Sequence, residues 1–483
     1  MSKEEQEHIV ILEKYLNEKS TKFSINDAAS VTGLPVLETQ YAVKDLMQTY
    51  DCKLKVTENG DLIYDFGDEP QRRHARKFKD KLADVGRAIW RWFTIFYKFM
   101  ISITLIVYFV VFVLLVVALV VAAMSGGKDN NSKGLGQLFG LIARVFWSIF
   151  EWRTIMGYNS YYYRRDPYGY NYKHYKEKRS ILEKTKKEKG KKSDDEKKQF
   201  VASIYDFVFG PPRVELDPLG NAQEVASFLK EHNGVISIPE VQALAGWTRD
   251  EAENFMTECL ANFDGKAEIS PNGSLYGEYS ELIRSTDRTG EAPIIWYWDE
   301  YEPEHELTGN KTGQNAGIVA MNVFNLILSG VVLFGGLAAE LDLGLAGEIF
   351  LGWFPLAYSA LFFLIPLVRW FFIRPLQRKQ HLANVRKRLM RVIFQRHEAE
   401  ISQEELIKVA NSWKTTEETL KPELVEEAML DVIYDLGGES YVNDEAKIMY
   451  KFVDLDRELD DIEEIRKERK NNHDDTGEII FEA

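Results

Sequence analysis

Residues 236–241 read ISIPEV, and the same pattern stands at 23–28 as FSINDA and at 401–406 as ISQEEL. Each is an apolar residue, Ser, two intervening residues, an acid and an apolar residue. Ser with an acid three residues later marks a helix start, because each side chain satisfies a free amide of the first turn. A hairpin signal follows each motif. Asn59-Gly60 is flanked by LKVTE and DLIYDF, and Asn272-Gly273 by KAEISP and SLYGEY. Asn-Gly supplies the positive φ angles of a type I′ turn, so two such turns are predicted. The third copy has Asn443-Asp444 before EAKIMYKF. Ser24 to Asn59 and Ser237 to Asn272 are both 35 residues, whereas Ser402 to Asn443 is 41, which predicts a six-residue insertion within residues 411–423. After the turns, Leu62/Tyr64/Phe66, Leu275/Gly277/Tyr279 and Ile448/Tyr450/Phe452 have the two-residue period of a half-buried strand. An amphipathic helix precedes each copy, at Ile9–Leu16, Val225–Leu229 and Leu389–Phe394.

The order helix, capped helix, longer helix, β-hairpin resembles the winged helix-turn-helix domain, and three such small α+β domains are expected. A winged helix that binds DNA sets its third helix in the major groove and needs cations there. The third helices here are acidic. Residues 37–50 offer Lys44 against Glu38 and Asp45, and 248–260 offer Arg249 against Asp250, Glu251, Glu253 and Glu258. Residues 412–435 offer Lys414 and Lys421 against Glu417, Glu418, Glu423, Glu426, Glu427, Asp431 and Asp435. That balance opposes DNA and fits the protein-docking use of the fold.

Between the copies lie long apolar runs. The chain has 483 residues, a formal net charge of −15 and two cysteines. Residues 99–124, 316–339 and 349–368 are apolar runs of 26, 24 and 20 residues, each long enough to cross a bilayer. Two cysteines exclude a disulfide scaffold, and the acidic total argues against a protein that coats nucleic acid. The start, MSKEEQEH, has no apolar core of signal-peptide length, so the first span is expected to serve as its own insertion signal.

Cation clusters at 72–91, 153–192 and 369–388 predict that the flanks of the spans face the cytoplasm. An even number of crossings must then lie between 98 and 153, which assigns 135–152 as a second crossing despite its length and Arg144. The last two spans form a second hairpin through the acidic link Glu340–Glu348. Pro355 and Pro366 are expected to kink the final span. The stretch 157–175 holds eight tyrosines among cations and reads as an interfacial belt. Residues 293–305, PIIWYWDEYEPEH, read as a strand or an amphipathic element at the membrane surface. Asn322, Asn325 and Ser329 are polar residues within a span, suited to helix–helix hydrogen bonds.

Catalytic motifs are missing. Gly309-Asn310-Lys311-Thr312 lacks phosphate-loop spacing, His305-Glu306 has no second His four residues on, and Cys52 and Cys259 lack a Cys-x-x-Cys partner. No catalytic, cofactor or metal residue is nominated.

Residues 203–218, SIYDFVFGPPRVELDP, then 263–282, FDGKAEISPNGSLYGEYSEL, and the Asn325-Leu326 pair in the hydrophobic hairpin are similar to a family of membrane proteins of cyanobacteria and chloroplasts. Plant members carry a label linking them to iron–sulfur cluster biosynthesis. A cluster needs four Cys or a Cys/His mix, which two isolated cysteines cannot supply, so the resemblance implies an assembly or accessory role without cluster ligands in this chain.

The sequence thus predicts a membrane α-helical protein with two transmembrane hairpins, about four spans, and three winged-helix-like cytosolic domains. The divisions are 1–70, first domain; 71–157, basic flank and first hairpin; 158–200, Tyr/Lys-rich linker; 201–285, second domain; 286–315, acidic aromatic connector; 316–373, second hairpin; 374–456, third domain; and 457–483, charged tail. The expected role is a non-enzymatic scaffold or assembly factor in an inner or plasma-type membrane, both termini cytoplasmic, with no cofactor. Its expected partners are the lipid bilayer, cytosolic or membrane proteins and further copies of itself, with nucleic acid disfavoured. An oligomeric transporter or channel is the first alternative, and a membrane-tethered DNA-binding regulator the second.

Overall fold

The computed structural model describes residues 3–73, 78–124, 200–211, 218–283, 294–300, 305–341, 344–411, 422–469 and 479–482. The first unit runs α1 (Lys3–Glu18), β1 (Lys22–Ser24), α2 (Ile25–Thr32), α3 (Val36–Thr49), β2 (Lys53–Thr57) and β3 (Leu62–Asp65). Helix α4 (Phe78–Met124) and helix α5 (Phe200–Phe209) follow among the described residues. The middle unit is α6 (Gly220–Glu231), β4 (Val235–Ser237), α7 (Ile238–Ala245), α8 (Arg249–Asn262), β5 (Lys266–Ile269) and β6 (Leu275–Glu278). Two apolar helices come next, α9 (Thr312–Phe334) and α10 (Phe354–Gln395). The third unit takes the end of α10 as its first helix and adds β7 (Ile401–Ser402), α11 (Gln403–Ala410), α12 (Pro422–Asp435), β8 (Glu439–Val442) and β9 (Ile448–Lys451). Last stand α13 (Val453–Arg469) and β10 (Ile479–Glu482).

The same succession of elements therefore occurs three times, and each sheet is antiparallel with its last hairpin strand between the other two: β1-β3-β2, β4-β6-β5 and β7-β9-β8. Equivalent positions fill equivalent cores. Leu12, Val225 and Met390 are buried on the first helix, Val43, Met256 and Met429 on the third, and Phe66, Tyr279 and Phe452 after the last strand. Gly277 stands where the other units have Tyr64 and Tyr450, and a Cβ on it would meet the Tyr279 ring at 2.8 Å. Cys259 is a core residue of α8, and burial pushes its thiol pKa up, which keeps it protonated and inert.

The hairpin turns differ from the predicted type I′. Gly60 N donates to Thr57 O and Thr57 N to Asp61 O, with Gly60 at φ 84° and Asn59 not at positive φ. Ser270, Gly273 and Ser274 repeat the arrangement, with Gly273 at φ 91°. These are three-residue connections closed by a left-handed residue. In the third unit Ala446 N donates to Asn443 O and Asn443 N to Lys447 O, with Ala446 at φ 59°. Asn443 thus matches Thr57 and Ser270 rather than the glycine-bearing tips, and the insertion is eight residues, not six. Of the stretch expected to hold it, 411–423, residues 412–421 lie outside those described.

Three stretches among the described residues are long and apolar enough to cross a membrane: Phe96–Val121 within α4, Thr312–Phe334, and Gly344–Gln395. The predicted crossing at 135–152 and the tyrosine-rich stretch 157–175 lie outside the described residues. Helix α5 was expected to open the second domain. Its Val201, Ile204, Phe207 and Val208 instead join Leu105, Ile106, Ile318 and Phe362 in one cluster with the apolar helices. Pro355 stands just after a π-helical turn, Glu348–Trp353, that runs on into α10, while Pro366 and Pro375 lie inside α10. The aromatic stretch near 297 is not a strand but a single 3-10 turn, Tyr297–Asp299, wedged between the middle and third units. The tail 457–483 also departs from expectation, since it forms most of α13 and then β10, which pairs antiparallel with β2 of the first unit.

Ala446 pays the left-handed strain that glycine avoids at Gly60 and Gly273. Its loop is propped by Asn443, whose Oδ1 accepts from Glu445 N and Lys447 N. Ala446→Gly is expected to stabilise the protein by about 1 kcal/mol, read as a rise in Tm of the detergent-solubilised chain.

Candidate functional site

The functional geometry is built on the capping carboxylates. In the first unit Ser24 Oγ accepts from Asp27 N, and Asp27 Oδ2 accepts from Ser24 N. In the middle unit Glu240 Oε2 accepts from Ser237 N and Ser237 Oγ. In the third, Ser402 Oγ accepts from Glu405 N without the return bond. Helices α2 and α7 both end on a left-handed glycine, Gly33 and Gly246, which brings the backbone close to its neighbours: a Cβ on Gly246 would sit 2.5 Å from the Tyr297 ring.

A buried carboxylate needs a partner charge. Lys230 of α6 lies 3.5 Å from Asp27, both side chains 5 % exposed. Glu240 receives a two-pronged guanidinium, Arg466 Nη1 to Oε1 at 2.6 Å and Nη2 to Oε2 at 2.8 Å. Arg466 comes from α13, which follows the third unit. Each of these two units therefore has its helix cap sealed by a cation from a segment further along the chain.

Helix α13 crosses the middle unit as a clasp. Near its start Glu458 accepts from Arg249 at 2.7 Å. At its centre Asp461 accepts from Ser270 Oγ and Ser274 Oγ, both at 2.5 Å, and from Asn272 Nδ2 at 2.6 Å, all at the hairpin tip. At its end Arg469 pairs with Glu278 at 2.7 Å and donates to Ser280 Oγ. Burial alone raises the Asp461 pKa, but the three donors and nearby Arg457 outweigh it and hold the carboxyl below its ordinary value. The third unit is also joined directly. Arg386 of α10 donates to Gly246 O and Trp247 O and pairs with Asp435 at 2.6 Å. Trp296 and Trp298 stack at 5.4 Å and reach Phe228 on one side and Phe394 on the other. Lys387 lies over the Tyr297 ring and donates to Glu300 O.

Two further surfaces bear on function. On α12, Leu430 and Tyr434 are exposed, one turn apart, beside exposed Glu423, Glu427 and Asp431. Among the apolar helices runs a neutral polar seam. Asn322 Nδ2 donates to Ser359 O, Asn325 Nδ2 to Leu105 O, Ser102 Oγ to Val201 O and Tyr358 OH to Ile101 O. The two Asn residues thus tie α9 to α10 and to α4, as the sequence suggested for Asn322 and Asn325.

The motifs inspected in the sequence fall in structural positions. Backbone His305 N and O meet Gln380 and Gln377 of α10. Lys311 is the N-cap residue of α9. Cys52 and Cys259 carry no disulfide. No group of three or more His, Cys, Asp or Glu able to hold a metal occurs among the described residues. Asp461 and Arg466 were not singled out from the sequence, whereas Arg386 was read only as part of the cation cluster 369–388 and the tryptophan pair only as part of the aromatic stretch 293–305. Their partners lie tens to hundreds of residues away, and only the acidic-to-basic gradient of 453–469 hinted at an ordered helix.

The chain is 22 % identical over 390 residues, covering 74 % of it and 67 % of the relative, to an Arabidopsis thaliana protein described as an uncharacterized chloroplastic protein. No family model matches the chain, and no solved structure matches it.

Removing Asp461 strands the buried hydroxyls of Ser270 and Ser274 and frees the exposed Asn272 amide. Asp461→Ala is expected to destabilise the clasp by about 2–3 kcal/mol, seen as faster hydrogen exchange across α13 and the 270–274 turn with the apolar helices unchanged. Because the folded pKa is lowered, the carboxylate's contribution is complete above the ordinary Asp value of about 3.9 and is lost as pH falls through the lower folded value. Release of α13 in the wild type should therefore begin only below about pH 4, and the part of that pH dependence due to Asp461 should be missing from the profile of Asp461→Ala. In the seam, Asn325→Leu is expected to weaken the packing of α4 on α9 by about 1 kcal/mol, measured by disulfide crosslinking of cysteines placed across that contact.

Proposed function

We propose that the chain is an integral membrane scaffold without catalytic activity, whose three winged-helix-like units hold partner proteins on the side of the membrane where both termini lie. The carrying observation is the clasp: the middle unit grips a helix, α13, with its cap carboxylate, its third helix and its hairpin tip. A unit that holds one helix by side-chain recognition is a helix-docking module. The acidic third helices support protein partners over DNA, since phosphate contacts need the opposite sign. On α12 the exposed Leu430 and Tyr434 within an acidic field supply the apolar anchors that protein interfaces favour.

The cation clusters support a cytoplasmic-type side for all three units. Four spans, with 135–152 as the second, complete this topology, and the relative's chloroplast description supports an organellar or bacterial-type membrane. An accessory role in cofactor assembly is compatible with this reading and requires no ligand from Cys52 or Cys259.

The test is a crosslinked pull-down of the tagged full-length chain from membranes, with mass spectrometry, against Leu430→Ala/Tyr434→Ala. Both side chains are exposed on α12, so the variant should fold. A reproducible set of proteins depleted at least fivefold in the variant is the expected outcome. Recovery of the chain alone would overturn the scaffold reading.

A further inference from the structure

The three caps are not treated alike. The residue three places after the cap Ser is Asp27, Glu240 and Glu405 in turn. The first two carboxylates are sealed by Lys230 and Arg466, and their side chains are 5 % and 8 % exposed. Glu405 is 40 % exposed, and its partner is Arg396 of its own unit, itself 43 % exposed. The positions that α13 covers on the middle unit can be followed onto the third through the shared elements. Asn233, which donates to Arg466 O, corresponds to Glu398, and Val235, whose O accepts from Arg466, corresponds to Glu400. Both are exposed. Asn272 and Ser274 at the hairpin tip correspond to Glu445 and Lys447, and Glu278 to Lys451, all exposed.

We infer that this face of the third unit is the open end of the series and receives a helix from a partner protein, cationic along the half that lies over the α11 cap. The inference rests on the helix-docking reading of the units and specifies the ligand for one of them. Two observations select the occupant. The same position already holds a Lys or Arg in both preceding units. In addition, the cap side of the third unit carries Glu398, Glu400, Glu404 and Glu405, where the middle unit has Asn233, Val235, Pro239 and Glu240. The hairpin side, with Lys447 and Lys451 beside Glu445, asks for the opposite sign. The required helix therefore has the polarity of α13, acidic first and basic last, with a stronger basic half. Opposed charges at the rim set partner choice and orientation more than affinity.

The probe is a fluorescein-labelled 17-residue peptide with the α13 sequence carrying Asp460→Lys, Glu463→Lys and Glu464→Lys. The control peptide carries Arg466→Glu, Lys467→Glu and Arg469→Glu instead. Anisotropy is read on the full-length chain in nanodiscs of neutral lipid at 150 mM salt. The expected result is saturable binding of the basic peptide, weakened at least tenfold by Glu398→Lys/Glu405→Lys, with the acidic peptide gaining affinity for that variant. Absent saturable binding overturns the inference, and so does binding that the double variant leaves unchanged, since the peptide is then elsewhere. Should the double variant fail to melt cooperatively, Glu398→Gln/Glu405→Gln takes its place, with a threefold loss expected and no loss overturning. The two proposals fail separately. Partners that survive Glu398→Lys/Glu405→Lys in the pull-down sink this face while leaving the scaffold. Peptide binding without any captured partner does the reverse.

Discussion

A carboxylate that caps a helix and is then buried cannot remain alone. Glu240 already accepts two bonds from Ser237, and its remaining capacity is filled by Arg466 from more than two hundred residues away. Taking either charge out of the pair would leave the other desolvated, at a cost of about 3–5 kcal/mol. That requirement fixes the path of the C-terminal segment. Helix α13 must leave the third unit along the face of the middle one, and this places Asp461 over the hairpin tip. Beyond it, β10 lies on the edge strand of the first unit. The polar contacts of α13 and the pairing of β10 thereby tie together three small units, of which the middle and third also share the aromatic cluster around Tyr297 and Trp298.

A clasp of this kind differs from the joints on the other side. Between the middle and third units Trp296, Tyr297 and Trp298 provide a dry, aromatic contact, and Arg386 satisfies the carbonyls that end α7. Aromatic burial of this sort is insensitive to salt, whereas the ion pairs of α13 are screened by it and the Asp461 contact also depends on pH. The joint with the third unit thus combines aromatic burial with the Arg386–Asp435 pair, whereas the α13 side rests mainly on polar contacts.

Local chemistry was legible in the sequence; long-range partners were not. Ser24/Asp27 and Ser237/Glu240 announce their helix starts because both members of each box lie three residues apart. The core positions follow from periodicity. The hairpins were legible in place but not in kind. Asn59-Gly60 resembles a two-residue turn, yet Thr57 and Asp61 close the ladder one step earlier and leave Gly60 as the left-handed residue. The same misreading shifted the third hairpin, where Ala446 rather than a glycine takes that position and gives no signal. Helix α13 was read only as a charged tail because charged residues dominate it, although Leu455, Leu459 and Ile462 stand at i, i+4 and i+7 on one helical face. Its order comes from Ser270, Asn272, Ser274 and Glu240, none of which is near in sequence.

Helix α10 decides how the body relates to the bilayer. It is continuous over 42 residues, from the last apolar run into the core of the third unit. At 1.5 Å per residue it is about 63 Å long, about twice the hydrocarbon thickness of roughly 30 Å. In the proposed membrane arrangement about half of it stands clear of the bilayer. Its emergent half carries Arg386 and Lys387 into the joint with the middle unit and Leu389, Met390 and Ile393 into the third unit's core. The helix is continuous through Pro366 and Pro375, which each remove one internal hydrogen bond between the span and the emergent half. Asn322 ties α9 to the apolar half of α10, and Asn325 ties α9 to α4, by side-chain bonds to backbone carbonyls. The helix that enters the third unit's core is therefore also held, in its apolar half, by an amide buried among the apolar helices.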